Sequence, residues 1–574
     1  MIIMKNLFYL CFISALLFAS CDEAVSIVEE VVPPTDEVVP TPVPDDKNTP
    51  SDYDFSTLQA GDTLNITYTH DFGGKSIVVP TDVVINYNQG KLINGTLVFT
   101  QGEIASELFN KDLKIQGKPI LQDNTYKFIT KNWNITEGEI DDATALVNKK
   151  ILENAIAEAK SCEAEIFEMD EIDAYFLVSK DKNFIPSKEA AITIPSDITI
   201  QMSEKTHLRV QANKYKAYAL FGVREVSNVT IKGGNLYGDR DNHDYTPIVN
   251  SDGSVQATHE WGYLIEIMGG VNVVVDGVEM SDATADGIFV GSIGFTFNND
   301  YKPSNNITVR NCIFDSNRRN NLSITDGYNM LIENNTFLNA GVDTQYSKGT
   351  DPKCAIDIEA YRQRNSSGDL VLYQIAKDIT IRNNTSTGSV VSSFLVAIGQ
   401  DIIIENNTVE KNLGFSLANG VKIRNNTVTG KDLAAAISGG VAMESLTTYG
   451  NEISGNIVSS SRQGIIVYNK GVKVFDNKIS DCTTGISIKN MTDAEIYNNT
   501  ITSRKANCYG IFCHVTSINN VEIKNNDIDV SYKSIAFVNV NIESGQLSNT
   551  VTVSGNDLTG GKVSIENSNG IVVK

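Results

Sequence analysis

The chain has 574 residues and a formal charge of −23, from 47 Lys and Arg against 70 Asp and Glu. That length exceeds one compact core, and abundant Gly (42), scarce Pro (13) and many Val-, Ile- and Thr-rich runs favour an elongated repeat of short strands. The acid excess repels polyphosphates, so nucleic acid is not expected as a partner; a polyanionic sugar would need a local Arg or Lys cluster or a divalent cation, and Ca2+ is the one cofactor left open.

Lys5 precedes an apolar run from Leu7 to Phe18, too short for a membrane-spanning helix and suited to a signal-peptide core. Ala19-Ser20-Cys21 follows. Small residues directly before a Cys resemble the lipobox of bacterial lipoproteins, which implies acylation of Cys21. Phe18 stands where that motif has an aliphatic residue, and a plain secretory leader is the alternative. Residues 1–20 are read as a lipoprotein signal peptide, and the acidic, Pro-rich residues 21–52 as an extended tether. The expected location is the outer membrane, through the lipid anchor, facing the cell surface or the periplasm. The eight Cys include no C-x-x-C pair, so no metal ligands are assigned. Cys508 and Cys513 flank one turn and are the pair a disulfide would join.

Residues 53–135 alternate apolar and polar positions between Gly-containing turns, as in SIVVPTDVVINYNQGKLINGTLVF. This predicts a small antiparallel β unit, either a spacer or a carbohydrate-contacting module. Asp141-Asp142-Ala143-Thr144 then opens a helix running to about Lys160, with Leu146, Val147, Ile151, Ala155, Ile156 and Ala159 on one face. Such a helix suits the capping of an open solenoid end.

From residue 228 a repeat takes over, with copies NVTIKGG, NVVVDGV, NITVRNC, NMLIENN, DITIRNN, DIIIENN, GVKIRNN, GVKVFDN, DAEIYNN and NVEIKNN. The final polar position falls at Asn335, Asn384, Asn407, Asn426, Asn451, Asn477, Asn499, Asn526 and Asn556. These are spaced 19 to 30 residues apart, except for a first gap of 49 that reads as two coils. Such a period, with three short strands per turn, predicts a solenoid over residues 136–574. Asn tolerates the left-handed backbone of a tight turn, and its amide can bond to the Asn one coil away. On these stripes the chain resembles the pectate-lyase-like superfamily of single-stranded β-helices. The resemblance implies an all-β fold, a right-handed parallel β-helix.

A second strand series runs in phase with the first: LIEIM (264–268), GIFVG (287–291), NLSIT (321–325) and AIDIE (355–359). Alternation places Ile265/Ile267, Ile288/Val290, Leu322/Ile324 and Ile356/Ile358 inside, and Glu266, Phe289, Ser323 and Asp357 in one outward column. Met268, Gly291, Thr325 and Glu359 form the next column. Charge gathers on these early coils, at Glu266, Asp286, Arg318, Arg319, Asp326, Asp357 and Glu359, whereas later coils carry Tyr468, Asn469 and Lys489.

Asp357 and Glu359 project the same way about 7 Å apart, within the span of an inverting glycosidase pair. They are the candidate acid and base, with Asp286 an assistant; a merely solvated acidic face would look the same. Arg318 and Arg319 would clamp a uronate or sulfate or serve in β-elimination, or else pair with Asp286 or Asp315. The polar insertion from Asp239 to Gly262 brings His243, Tyr245, His259, Glu260 and Trp261. His243, His259, Glu260 and Trp261, with Glu266 and Asp326, are predicted as substrate contacts. A metal held by His243, His259 and Glu260 lacks tight ligand spacing.

The blocks D-R-x-x-H-D, H-E-W-G, D-G-I, N-R-R-N-x-L-S-I and A-I-D-I-E look like those of bacterial β-helix proteins grouped with polysaccharide lyases, hydrolases and epimerases. G-H-G, R-I-K and W-x-D-H are absent, so pectin cleavage is not expected. The implied function is extracytoplasmic cleavage or modification of a polysaccharide; the alternative is a non-catalytic glycan-binding or adhesive protein.

Overall fold

Period-two alternation is realised as three walls of parallel strands. Trp261–Met268, Val271–Asp276 and Glu279–Ser281 lie on successive walls. Each pairs in parallel with its counterpart one coil on: Ile288–Gly291, Asn305–Arg310 and Ile313–Asp315. The computed structural model describes residues 55–180, 189–249, 253–256, 259–440, 450–514, 518–540, 551–559 and 561–574. The leader, Cys21 and the tether lie outside the described residues. Among the described residues, two walls merge into one 28-stranded sheet and the third is a 14-stranded sheet. The residues expected inside, Ile265, Ile267, Ile288, Val290, Leu322, Ile324, Ile356 and Ile358, are all at 0% exposure in one continuous core. No coil covers its own apolar face, so neighbouring coils stabilise one another.

The Asn ladder forms, with two corrections. Asn384 Oδ1 accepts from the backbone N–H (2.9 Å) and the amide (3.1 Å) of Asn335, and the same double bond repeats through Asn407, Asn426, Asn456, Asn477, Asn499, Asn526 and Asn556. The rung after Asn426 is Asn456; Asn451 instead accepts from the Val421 N–H at 2.8 Å. The direct bond from Asn335 to Asn384 makes the gap of 49 a single coil with long insertions. The two expected jobs of Asn are also divided. Asn334, Asn383, Asn406, Asn425, Asn498 and Asn525 take the left-handed backbone, with φ of 54 to 57°, and the following Asn builds the ladder.

The antiparallel unit expected over residues 53–135 is corrected to parallel. Thr63–Ile66 pairs with Val83–Tyr87, Ser76–Val79 with Gly95–Ile104, and Gly95–Ile104 with Leu113–Leu121, all in parallel. Alternation reports a half-buried strand and is blind to its partner's direction. Thr125–Lys127 pairs with Ile166–Met169 of the long sheet, so the unit runs on into the solenoid. A helix spans Asp142–Ser161, and Asp141 caps it by accepting from the Thr144 N–H at 2.7 Å. It buries Ala145, Leu152, Ala155, Ile156 and Ala159, whereas Val147 is 55% exposed. Cys508 and Cys513 are buried free thiols, not a disulfide; the Cys508 Sγ faces Ser531 Oγ at 3.3 Å.

Candidate functional site

Strand register puts Glu266 opposite Phe289, Phe289 opposite Ser323, and Ser323 opposite Asp357. This is the outward column expected, and Met268 likewise pairs with Gly291. Outward does not mean exposed. Glu266, Ser323 and Asp357 keep only 1%, 2% and 3% of their surface; Arg224 from the adjoining strand holds Glu266 at 2.8 Å and Asn320 donates to Ser323 at 2.9 Å.

The strand ends bring four ionisable groups together. Asp286 and Arg319 sit on the turns leading into Ile288–Gly291 and Leu322–Ile324. Arg319 Nη1 donates to Asp286 Oδ2 at 2.9 Å, and the Asn320 N–H donates to Asp286 Oδ1 at 3.0 Å. Asp286 is fully enclosed, and burial raises its pKa against the pull of Arg319 and of the Asn320 N–H. Burial lowers the Arg319 pKa, but Asp286, Tyr263, Asp357 and Glu260 together hold it above its usual value. Asp357 is pushed up to about 7 by burial first, then by Glu359, with Arg319 opposing and Asp286 adding. Glu359 stays 45% exposed by its side chain and lies 3.6 Å from Arg362. The ladder slips beside it, since Ile358 pairs with Val396 but Glu359 with Ile398; such a bulge re-aims a side chain.

Three ionisable residues of this wall hold a buried atom with no hydrogen-bond partner: Glu266 Oε1, Arg319 Nε and Asp357 Oδ1. An unpaired buried polar atom costs roughly 1–3 kcal/mol, so three on one wall call for a partner beyond the protein's own groups, a water or a bound molecule.

Several predicted contacts are corrected by burial. His243 and His259, at 6% and 0% exposure, form an internal chain: His243 Nδ1 to Asp239 Oδ2 and His243 Nε2 to His259 Nδ1, both at 2.7 Å. Tyr218 and Thr284 also reach Asp239. Gly262 allows that approach, since a Cβ there would sit 2.6 Å from Tyr218 Cζ. Burial and His243 lower the His259 pKa to about 4, so this imidazole is neutral. Arg318 is no clamp. Its guanidinium donates to the carbonyls of Lys348, His259 and Thr284 at 2.8 to 3.2 Å and covers the Tyr245 ring at 4.2 Å.

Asp326, at 0% exposure, accepts from the Tyr301 hydroxyl (2.9 Å) and the Ile375 N–H (3.0 Å), and burial raises its pKa to about 6. Glu266 is enclosed against Arg224 at 2.8 Å, and burial lifts it to about 6. Glu260 accepts from Thr350 Oγ1 at 2.9 Å. Trp261 packs half-buried on Ala191, Ala219, Tyr263 and Ala285. Among the described residues, no three His, Cys, Asp or Glu converge to hold a metal.

Sequence reading missed the arms around the column. Ile293 and Lys302 close a loop, and Arg362–Arg364 pairs antiparallel with Leu370–Leu372. These arms carry Phe295, Phe297, Tyr361 and Tyr373, whose ring centroids lie 4.8 to 5.7 Å apart. For the hairpin alone, a signal was available in the 49-residue coil from Asn335 to Asn384, far longer than one turn needs.

A family profile described as a right-handed beta helix region matches residues 294–444 and 418–558, so the parallel β-helix is right-handed. Among curated proteins, the uncharacterized protein YclG of Bacillus subtilis is 35% identical over 320 residues, 55% of this chain and 52% of YclG. The SPbeta prophage-derived uncharacterized protein YorA of Bacillus subtilis is 28% identical over 302 residues, 52% of this chain and 49% of YorA. The chain thus spans about half the length of the curated relatives it matches. Among solved structures, a mutant tailspike protein of E. coli bacteriophage HK620 in complex with a hexasaccharide superposes with a TM-score of 0.53 at 11% identity, covering 79% of this chain and 80% of the tailspike. A second mutant of that tailspike gives 0.52 at 12% identity, over 78% and 79%. At such identities the likeness speaks for the fold alone.

Proposed function

We propose that this right-handed parallel β-helix protein binds a polysaccharide across the outward column of its early coils and hydrolyses it. Asp357 is the general acid and Glu359 the general base, with Arg319 and Asp286 as a fixed ion pair that sets the potential around Asp357. The observation that carries this reading is Asp357 itself: an outward carboxyl raised to about 7 with an unpartnered buried oxygen. Held protonated near neutral pH, it can donate to a glycosidic oxygen while Glu359 deprotonates the attacking water. The tailspike of the same fold carries a hexasaccharide, which supports a saccharide as ligand. Hydrolysis is preferred to elimination because Asp357, raised to about 7, is placed to protonate a leaving oxygen, which elimination does not need from a carboxyl.

The 3% exposure of Asp357 favours a second reading, glycan binding without turnover. A polysaccharide panel scored for new reducing ends and for the ultraviolet absorbance of unsaturated sugars separates the readings. Hydrolysis predicts reducing ends without absorbance, lost in Asp357→Asn with folding intact. Full activity in that variant sinks the assignment, and binding without products favours adhesion. We further propose, from the leader ending at Cys21, that the chain is a lipid-anchored exported protein; radiolabelled palmitate should enter the wild type and not Cys21→Ser.

A further inference from the structure

We infer that the aromatic arms beside Glu359 form a stacking subsite for an uncharged pyranose unit next to the bond that is cleaved. The inference rests on the function proposed above and specifies its substrate class.

The arms are built as one unit. Thr296 ties the loop to the hairpin, its N–H donating to the Tyr373 carbonyl at 2.9 Å and its hydroxyl to the Leu372 carbonyl at 3.1 Å. Beneath them the enclosed Asp326 binds the Tyr301 hydroxyl of one arm and the Ile375 N–H where the other rejoins the wall. Four rings are thereby held together, yet Phe297 is 61% and Tyr361 40% exposed. Holding large apolar rings at the surface works against the hydrophobic effect and marks a contact surface.

The surroundings of these rings select the occupant. The Tyr361 hydroxyl accepts from Gln363 Nε2 at 2.6 Å, and the Tyr373 hydroxyl donates to Gln363 Oε1 at 3.2 Å. Apolar faces rimmed by hydroxyl and amide groups match a pyranose, whose C–H face lies on a ring while its equatorial hydroxyls meet the rim. A stable protein partner needs about 800 Å² per side, whereas only two of the four rings, Phe297 and Tyr361, are exposed. Tyr361 follows Glu359 by two residues, just past the end of the Cys354–Glu359 strand, so the ring cluster lies next to the proposed base. Two of the nearby cations already face carboxylates, Arg362 against Glu359 at 3.6 Å and Arg319 against Asp286 at 2.9 Å, and Glu359 itself would repel a uronate, so a neutral unit is favoured.

The test is titration calorimetry of the full chain with neutral hexasaccharides of gluco, galacto, manno and xylo configuration and with hexagalacturonate. At least one neutral hexasaccharide should bind, and Phe297→Ala/Tyr361→Ala should weaken it about tenfold or more, as two lost stacking contacts imply, with an unchanged melting temperature. Neutral binding that is unaltered in the double variant overturns the inference, as does binding confined to hexagalacturonate. A wild type that binds none of the five also overturns it. So does a chain that dimerises through Phe297 while saccharide binding ignores the substitution. Unaltered binding beside hydrolysis that depends on Asp357 leaves the proposed function standing, whereas ring-dependent binding without any hydrolysis sinks the reaction and keeps the subsite.

Discussion

The coils from Trp261 to Ala376 and those from Gly450 to Thr559 continue the same walls, with the Asn ladder of the later coils entering the earlier ones only at Asn335, and they differ in almost everything hung on those walls. In the later region successive rungs are 21, 22, 27 and 30 residues apart, at Asn456, Asn477, Asn499, Asn526 and Asn556. The outward column there reads Ile466, Ser487, Phe512 and Ala536. In the earlier region one coil takes 49 residues, antiparallel arms spring from the wall, and the same column carries enclosed carboxylates. Buried carboxyls with raised pKa values penalise folding at neutral pH. The stacked parallel walls supply the frame that tolerates them, and function is read from where a coil departs from the repeat.

The comparison breaks most sharply at the ion pair. Arg319→Met leaves the enclosed Asp286 without its cation and should cost about 3–5 kcal/mol in denaturant unfolding, whereas Ser487→Ala in the later column should change stability by less than about 0.5 kcal/mol. A ladder rung should matter in both regions alike. Asn477→Leu removes the acceptor of the Asn456 N–H and amide and should cost about 1–3 kcal/mol without altering saccharide binding in the early coils. Among the substitutions in the arms the effect is local: Tyr301→Phe removes one of the Asp326 partners, and amide exchange over residues 361–375 should quicken while global unfolding stays within about 1 kcal/mol.

What the sequence made legible was the frame. A strand period of two together with one Asn per coil fixed the columns, and so brought Glu266, Ser323 and Asp357 into the alignment that the register bears out. The rest depended on contacts far apart in sequence. Asn451 and Asn456 lie five residues apart at the end of one repeat, and the neighbouring coil decides which is the rung. His243 and His259 sit in a polar insertion, yet the Asp239 carboxylate draws them inward. The outward column is covered by residues such as Arg224 and Arg319 from adjoining coils. Phe295, Phe297, Tyr361 and Tyr373 come from two segments without periodicity, so nothing local announced that they meet. The parallel order of residues 63–121 was hidden because alternation is the same in either direction.

The pH dependence of turnover tests the central claim most directly, measured on whichever polymer of the panel the protein hydrolyses. The folded Asp357 holds its proton up to about 7, above the ordinary carboxyl range. Its stabilising contribution is therefore full below that range and is lost as pH rises through about 7, and the acid needed for catalysis is lost over the same interval. The account predicts activity that falls tenfold per pH unit above about 7, and an Asp357→Asn variant at least about a hundredfold slower with that limb absent. Activity that holds level or climbs above that pH, or a wild-type profile in Asp357→Asn, would contradict the account.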